Sequence, residues 1–199
     1  MLQKYLITAE PSYMQLRKHR PEFALYRHKE TKEYVFHAQN FLEMAKNIPN
    51  LKAFLHQDYA LADKLNATGV HLTSTQFESI EKAKALGLEV VVSTHTKEEV
   101  LNAERLGADY VTFSPIFSTP NKGEPKGVEV LKEVVNATSL KVIALGGIVT
   151  QEHIKEIEQS GAFAFASIRY FKSVETKKYD INDLVSTKCP TTTLLSRIK

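Results

Sequence analysis

The sequence predicts an α/β fold, a compact (β/α)8 barrel in a single domain, on three observations. Eight short apolar runs begin near Lys4, Phe23, Leu51, Gly69, Leu88, Tyr110, Leu140 and Phe163, about 18 to 30 residues apart. Helical patterns separate most of them, which is the rhythm of parallel strands joined by crossover helices. Polar residues collect where the runs stop, as they do at the C-terminal mouth of such a barrel.

Taken in order, the elements support this reading. The second run ends Tyr26-Arg27-His28-Lys29. Alternation along a strand puts Arg27 and Lys29 on one side, toward the mouth, and His28 on the other. The third run ends His56-Gln57-Asp58 and the fourth His71-Leu72-Thr73-Ser74. Thr75 with Glu78 then fits a capping box, in which a hydroxyl and a carboxylate satisfy reciprocal backbone donors. Between Gln76 and Leu86, Phe77, Ile80, Ala83 and Leu86 fall on one helical face, leaving Lys82 and Lys84 to solvent.

The fifth run ends Ser93-Thr94-His95, and Thr96 with Glu99 is a second capping box. Gly107 and Gly161 precede strands six and eight where a helix must stop, as glycine favours. Strand six, from Tyr110, runs into a turn carrying Ser118, Thr119, Asn121 and Lys122; strand seven ends at Gly146 and Gly147, with Thr150 placed to cap a helix. The eighth run ends Ser167-Ile168-Arg169. Paired glycines let a bare backbone approach a ligand, and a helix N-terminus beyond them favours an anion. A phosphate is therefore expected between the loop after Gly147 and the loop containing Ile168.

The chain has 199 residues, 43% of them apolar, enough for one core of ordinary size. Residues 1–171 are assigned to the barrel and 172–199 to a C-terminal tail, a short helix around Asp180–Val185 or a mobile segment that packs under the barrel or on a partner subunit. Cys189 is the single cysteine, so no intramolecular disulfide forms, and a cytoplasmic location is expected. No run approaches the roughly 18 apolar residues of a membrane span. The net charge of +3 is mild, and Arg17-Lys18-His19-Arg20 reads as a solvated helix end, so neither membrane nor nucleic acid is an expected partner. No His and Cys cluster has zinc spacing, and no glycine-framed nucleophile turn surrounds Ser93 or Ser114.

From residue 3 to about residue 171 the chain resembles the thiamine phosphate synthase and thiazole tautomerase superfamily. The resemblance rests on Leu25-Tyr26-Arg27-His28-Lys29, Gly69-Val70-His71-Leu72, Ser93-Thr94-His95-Thr96, Gly107-Ala108-Asp109-Tyr110-Val111, Pro115 to Lys122 and Ala144-Leu145-Gly146-Gly147-Ile148. It implies a (β/α)8 barrel that uses magnesium to join a pyrimidine methyl diphosphate to a thiazole phosphate, releasing pyrophosphate. On that basis Arg27, Lys29, Ser93 and Lys122 would hold the diphosphate. Thr119, Asn121, Gly147, Ile168 and Arg169 would surround the thiazole phosphate.

Departures from the family pattern are equally specific. His56 and Gln57 stand where the synthase has Asn-Asp, and Gln76 where it has a second aspartate, so magnesium loses its usual carboxylates unless a shift of one residue brings in Asp58. Leu25 replaces a glutamine, and Arg169 a small hydroxyl residue. Pro115 replaces the histidine of the tautomerase relatives, leaving His56 as a substitute proton carrier that would titrate near neutrality. Synthase chemistry leads; a thiazole phosphate tautomerase and a non-catalytic binder of thiamin intermediates are the alternatives. Small phosphorylated molecules are the expected partners, and a homodimer is compatible with the chain.

Overall fold

In each of eight strands alternate residues face opposite sides, and one of those sides is the inside of a closed cylinder. The structure, a computed structural model, describes residues 2–120 and 122–172. In chain order the elements are β1 (Gln3–Thr8), α1 (Tyr13–His19), β2 (Phe23–Tyr26), α2 (Tyr34–Lys46), β3 (Lys52–His56), α3 (Tyr59–Lys64), β4 (Gly69–Leu72), α4 (Ile80–Ala85), β5 (Glu89–Thr94), α5 (Lys97–Arg105), β6 (Tyr110–Phe113), α6 (Gly127–Ala137), β7 (Lys141–Leu145), α7 (Gln151–Gln159), β8 (Ala164–Ser167) and α8 (Arg169–Lys172). All strands are parallel, each paired with the next, and β1 closes the barrel on β8 with Leu6 opposite Ser167. Every strand begins within one residue of its expected start.

The two faces of the strands build two cores. Tyr5 and Ile7, Phe23 and Leu25, Phe54, Val91, Tyr110, Ile143, Ala164 and Ala166 fill the inside. Their neighbours, among them Leu6, Tyr26, Leu55, Val92, Val111 and Phe165, pack outward against Leu16, Phe41, Ile80, Val100, Leu131 and Ile157 of the helices. Four aromatic rings crowd the interior, and Gly69 makes room for them. A Cβ there would lie 2.0 Å from the Glu89 carbonyl oxygen and 2.7 Å from the Phe54 ring.

The N-terminal end of the barrel is plugged. Phe23 meets Tyr110 edge to face at 5.2 Å. Lys52 Nζ donates to the Glu89 carboxylate at 2.6 Å and to Tyr110 Oη at 3.1 Å. The Lys141 ammonium covers the Tyr110 and Phe163 rings at 5.4 and 5.1 Å, a cation–π contact that shields apolar faces from water.

Helix ends follow expectation in part. Thr96 and Thr150 cap α5 and α7, accepting from Glu99 N and His153 N. The Glu99 carboxylate reaches past the cap to the His95 N–H. Gly107 and Gly161 sit at φ 86° and 80°. Thr75, in contrast, caps nothing: its hydroxyl pairs with Thr73 Oγ1 at 3.0 Å, and Gln76 Oε1 takes the Thr73 N–H at 3.1 Å. The expected helix from Gln76 therefore begins as a 3-10 turn, Phe77–Ser79, and Leu86 ends 44% exposed. Lys84 is not free in solvent either; it pairs at 2.8 Å with Asp109, which also accepts from Val90 N.

Among the described residues no helix is long and apolar enough to cross a membrane. The tail from residue 173, with Asp180–Val185 and Cys189, lies outside the described residues.

Candidate active site

Inward-facing positions continue past the strand ends, two residues at a time, and they line one cavity. Leu25 is followed by Arg27, Phe54 by His56, His71 by Thr73, Ser93 by His95, Ile143 by Leu145 and Ala166 by Ile168; all but Phe54, Ile143 and Ala166, which lie deeper, line a cavity of about 340 Å³. Ile7, Leu25, Leu145 and Ile168 supply apolar surface; Ser74, Ser114, Pro115, Thr119, Lys122 and Gly146 complete the lining. It opens at the C-terminal ends of the strands, where the fold places its chemistry.

Arg27 extends the β1–β2 ladder, its N–H donating to Thr8 O at 2.8 Å. Burial pulls its guanidinium below the usual arginine range, yet it remains a cation at any physiological pH. His56 is fixed at its backbone, where its N–H donates to Tyr34 Oη at 3.1 Å while that hydroxyl donates to Tyr26 O at 3.1 Å. Burial pushes the Tyr34 phenol up to about 12. Burial, and then the charges of Arg27 and Lys29, bring the His56 imidazole down to about 4. His56 is thus neutral near pH 7, which corrects the expectation that it titrates there.

His71 is buried deeper, with Nδ1 3.0 Å from Tyr5 Oη and Nε2 3.0 Å from Ser93 Oγ. Burial, then His56 and Arg27, lower it to about 3. His95 Nδ1 lies 3.1 Å from the Ser114 carbonyl and 3.3 Å from its hydroxyl. The first of these fits an Nδ1–H donor, which would leave Nε2 as an acceptor.

The glycine pair serves the neighbouring loop. Ile116 N donates to Leu145 O and Phe117 N to Gly146 O, both at 3.0 Å. A Cβ on Gly146 would lie 2.8 Å from Pro115 Cα; on Gly147 it would lie 2.5 Å from the Phe117 carbonyl, and both glycines have positive φ, 98° and 73°. The bare Cα atoms thus admit the β6–α6 loop, and Gly146 also lines the cavity. Thr119 Oγ1 donates back to Phe117 O at 2.9 Å, and the Phe117 ring stacks on His153 at 4.0 Å. Next door, Ser167 Oγ donates to Ile148 O at 2.8 Å and accepts from Tyr170 N at 3.1 Å, tying the loop after β7 to the start of α8.

Of the residues singled out in the sequence, Arg27, His56, Ser93, Thr119, Lys122 and Ile168 share the cavity. Lys29 stands beside it, in a rim depression with His28, Gln57 and Asp58 that His56 borders from the other side. Gly147 lies behind the cavity lining, Arg169 is exposed as the first residue of α8, and Asn121 lies outside the described residues. Thr73 and Ser74, named in the sequence only as polar residues at the end of the fourth run, line the cavity as well; Ser114 and Leu145 were given no place in it, although strand parity alone picks out Leu145.

The donor set does not fit a magnesium ion. Gln57 and Gln76 are neutral amides, and Gln76 is engaged locally, accepting from Thr73 and donating to Gln57 O at 3.3 Å. Asp58 faces its own helix, capping α3 by accepting from Leu61 N at 2.9 Å. Hard cations prefer anionic oxygens, and no group of three or more acidic, His or Cys side chains suited to a metal occurs among the described residues.

Comparison with known proteins agrees with this geometry. A thiamine-phosphate synthase of Caldicellulosiruptor bescii is 35% identical over 136 residues, covering 64% of this chain and 61% of that protein. One of Chlorobium phaeobacteroides is 40% identical over 116 residues, covering 56% and 55%. The chain therefore spans a little over half the length of these curated relatives. The solved thiamine phosphate pyrophosphorylase of Pyrococcus furiosus superposes with a TM-score of 0.74 at 25% identity, over 87% of this chain and 92% of that one. The family model described as thiamine monophosphate synthase matches residues 3–171. That match takes in all eight strands and every cavity-lining side chain, and by it the chain belongs to the thiamine monophosphate synthase family.

Proposed function

We propose that this barrel joins a pyrimidine methyl diphosphate to a thiazole phosphate and releases pyrophosphate. One observation carries the reading: Arg27 after β2, Ser93 on β5, and Thr119 and Lys122 of the loop after β6 converge from three strand ends on one cavity. In this reaction the bond from the pyrimidine methylene to the diphosphate oxygen breaks, the electron pair leaves with pyrophosphate, and the thiazole nitrogen attacks the resulting benzylic-type cation. Catalysis then consists of stabilising charge on the leaving group and holding the nitrogen in line. Arg27 and Lys122, with Lys29 at the rim, are suited to the first task. The backbone around Ile168 is suited to holding the thiazole phosphate, and Thr119 joins it when its hydroxyl turns from Phe117 O to the ligand.

Since the amides and Asp58 do not fit magnesium, these cations would carry the neutralisation. The same donor set favours a second reading, a barrel that binds both phosphates without turning them over. Tautomerase chemistry has less support, because Pro115 stands where the tautomerase relatives carry a histidine, and His56, neutral near pH 7, is suited to accept a proton but not to supply one as an imidazolium.

Pyrophosphate release from the two substrates, with and without magnesium, tests the proposal. Turnover is expected, with Arg27→Ala and Lys122→Ala each weakening diphosphate binding about ten- to a hundredfold, and Lys82→Ala, on an exposed helix face, leaving it unchanged. Tight binding without turnover would select the second reading. Equal binding by all three variants would remove both.

A further inference from the structure

Tyr5 Oη is fully buried inside the barrel, and among the described residues its one hydrogen-bond partner is His71 Nδ1. A buried phenol whose O–H finds no acceptor is costly, so this hydroxyl donates, and Nδ1 is the acceptor. A neutral imidazole that accepts at Nδ1 carries its proton on Nε2. That N–H points at Ser93 Oγ, 3.0 Å away. Ser93, having accepted from His71, keeps its own O–H for a partner on the cavity side, where it lines the wall.

We propose that Tyr5 and His71 are positioning residues that fix the Ser93 hydroxyl as a donor into the cavity, so that the ligand must present an acceptor oxygen there. This rests on the reading of the cavity as a diphosphate site, whose oxygens are acceptors only. Burial keeps His71 a neutral imidazole, with a single N–H, well below pH 7, so the direction of donation holds throughout the physiological range. Tyr5 touches no substrate; it acts two hydrogen bonds away.

The tautomer is directly measurable in the full chain labelled with nitrogen-15 histidine. The parent should show His71 protonated at Nε2 and bare at Nδ1 from about pH 5 to about pH 8. A proton on Nδ1 in the parent would overturn the proposal, whatever the protein binds. Tyr5→Phe keeps the ring that packs against Phe23 and Phe54 and should give a mixture of tautomers. Its affinity for inorganic pyrophosphate should fall about three- to tenfold. Ser93→Ala should cost a similar factor, and the double variant no more than Ser93→Ala alone, the non-additivity of a single chain of bonds. Independent, multiplying losses would also overturn it. A parent that binds no pyrophosphate would instead remove the diphosphate reading, while the tautomer still decides the relay.

Discussion

His56 has the most consequential environment of any single side chain in the cavity. Its imidazole is held at about 4 in the folded protein, against an ordinary value near 6.5 in the unfolded chain. As pH falls from neutrality the unfolded chain takes up this proton first, so unfolding gains. Stability is therefore unaffected above about 6.5 and drains away as pH drops toward about 4, below which both states are protonated. After allowance for solvent screening the loss is on the order of 1 to 3 kcal/mol. His71, held at about 3, adds to it with the same sign. His56→Gln should therefore lose less stability than the parent between about pH 6.5 and about pH 4.5, read from urea midpoints. Identical curves would show that the pocket does not hold the imidazole neutral.

At the scale of elements, two threonines in the same sequence pattern separate motif from structure. Thr96 accepts the Glu99 N–H and starts α5, whereas Thr75 faces Thr73. Thr96→Ala is expected to cost about 1 kcal/mol and Thr75→Ala less than about half of that, compared by thermal denaturation. The sequence alone could not separate them, because what redirected the second turn was Gln76, whose amide captured the Thr73 N–H. Strand starts were legible because apolar alternation and loop length leave little choice. The glycine pair was legible as special, but its packing against the preceding loop was not: the neighbour of Gly147, Phe117, lies 30 residues upstream, and only the register of β6 on β7 brings it there. Gly69 makes a sharper case. Gly69→Ala would drive a methyl into the Glu89 carbonyl and the Phe54 ring, and should cost about 3 kcal/mol or more, seen as a lowered denaturation midpoint or an insoluble chain. A variant as stable as the parent would mean that β4 and β5 can shift apart.

For the whole molecule, the two ends of the barrel have separable jobs. The N-terminal plug is an ion pair, Lys52 with Glu89, set on the aromatic rings; the C-terminal mouth carries Arg27 and Lys122. Lys52→Ala should lower stability by about 1 kcal/mol, since the pair is partly exposed, and leave pyrophosphate affinity unchanged. Arg27→Ala should do the reverse. Calorimetric titration and a denaturation curve on both variants decide the matter, and a plug variant that loses affinity would mean that the two ends are coupled through the interior.

Closure of the cylinder also sets the timing of folding. Gln3 to Leu6 pair with Ala164 to Ser167, so the first strand to leave the ribosome waits for the last. Until then a chain with seven strands assembled carries two unpaired backbone edges, on β1 and on β7, each a template for pairing with another chain. Contacts of such long sequence separation form slowly. This barrel is therefore most exposed to self-association not when it is unfolded but when it is one strand short of finished.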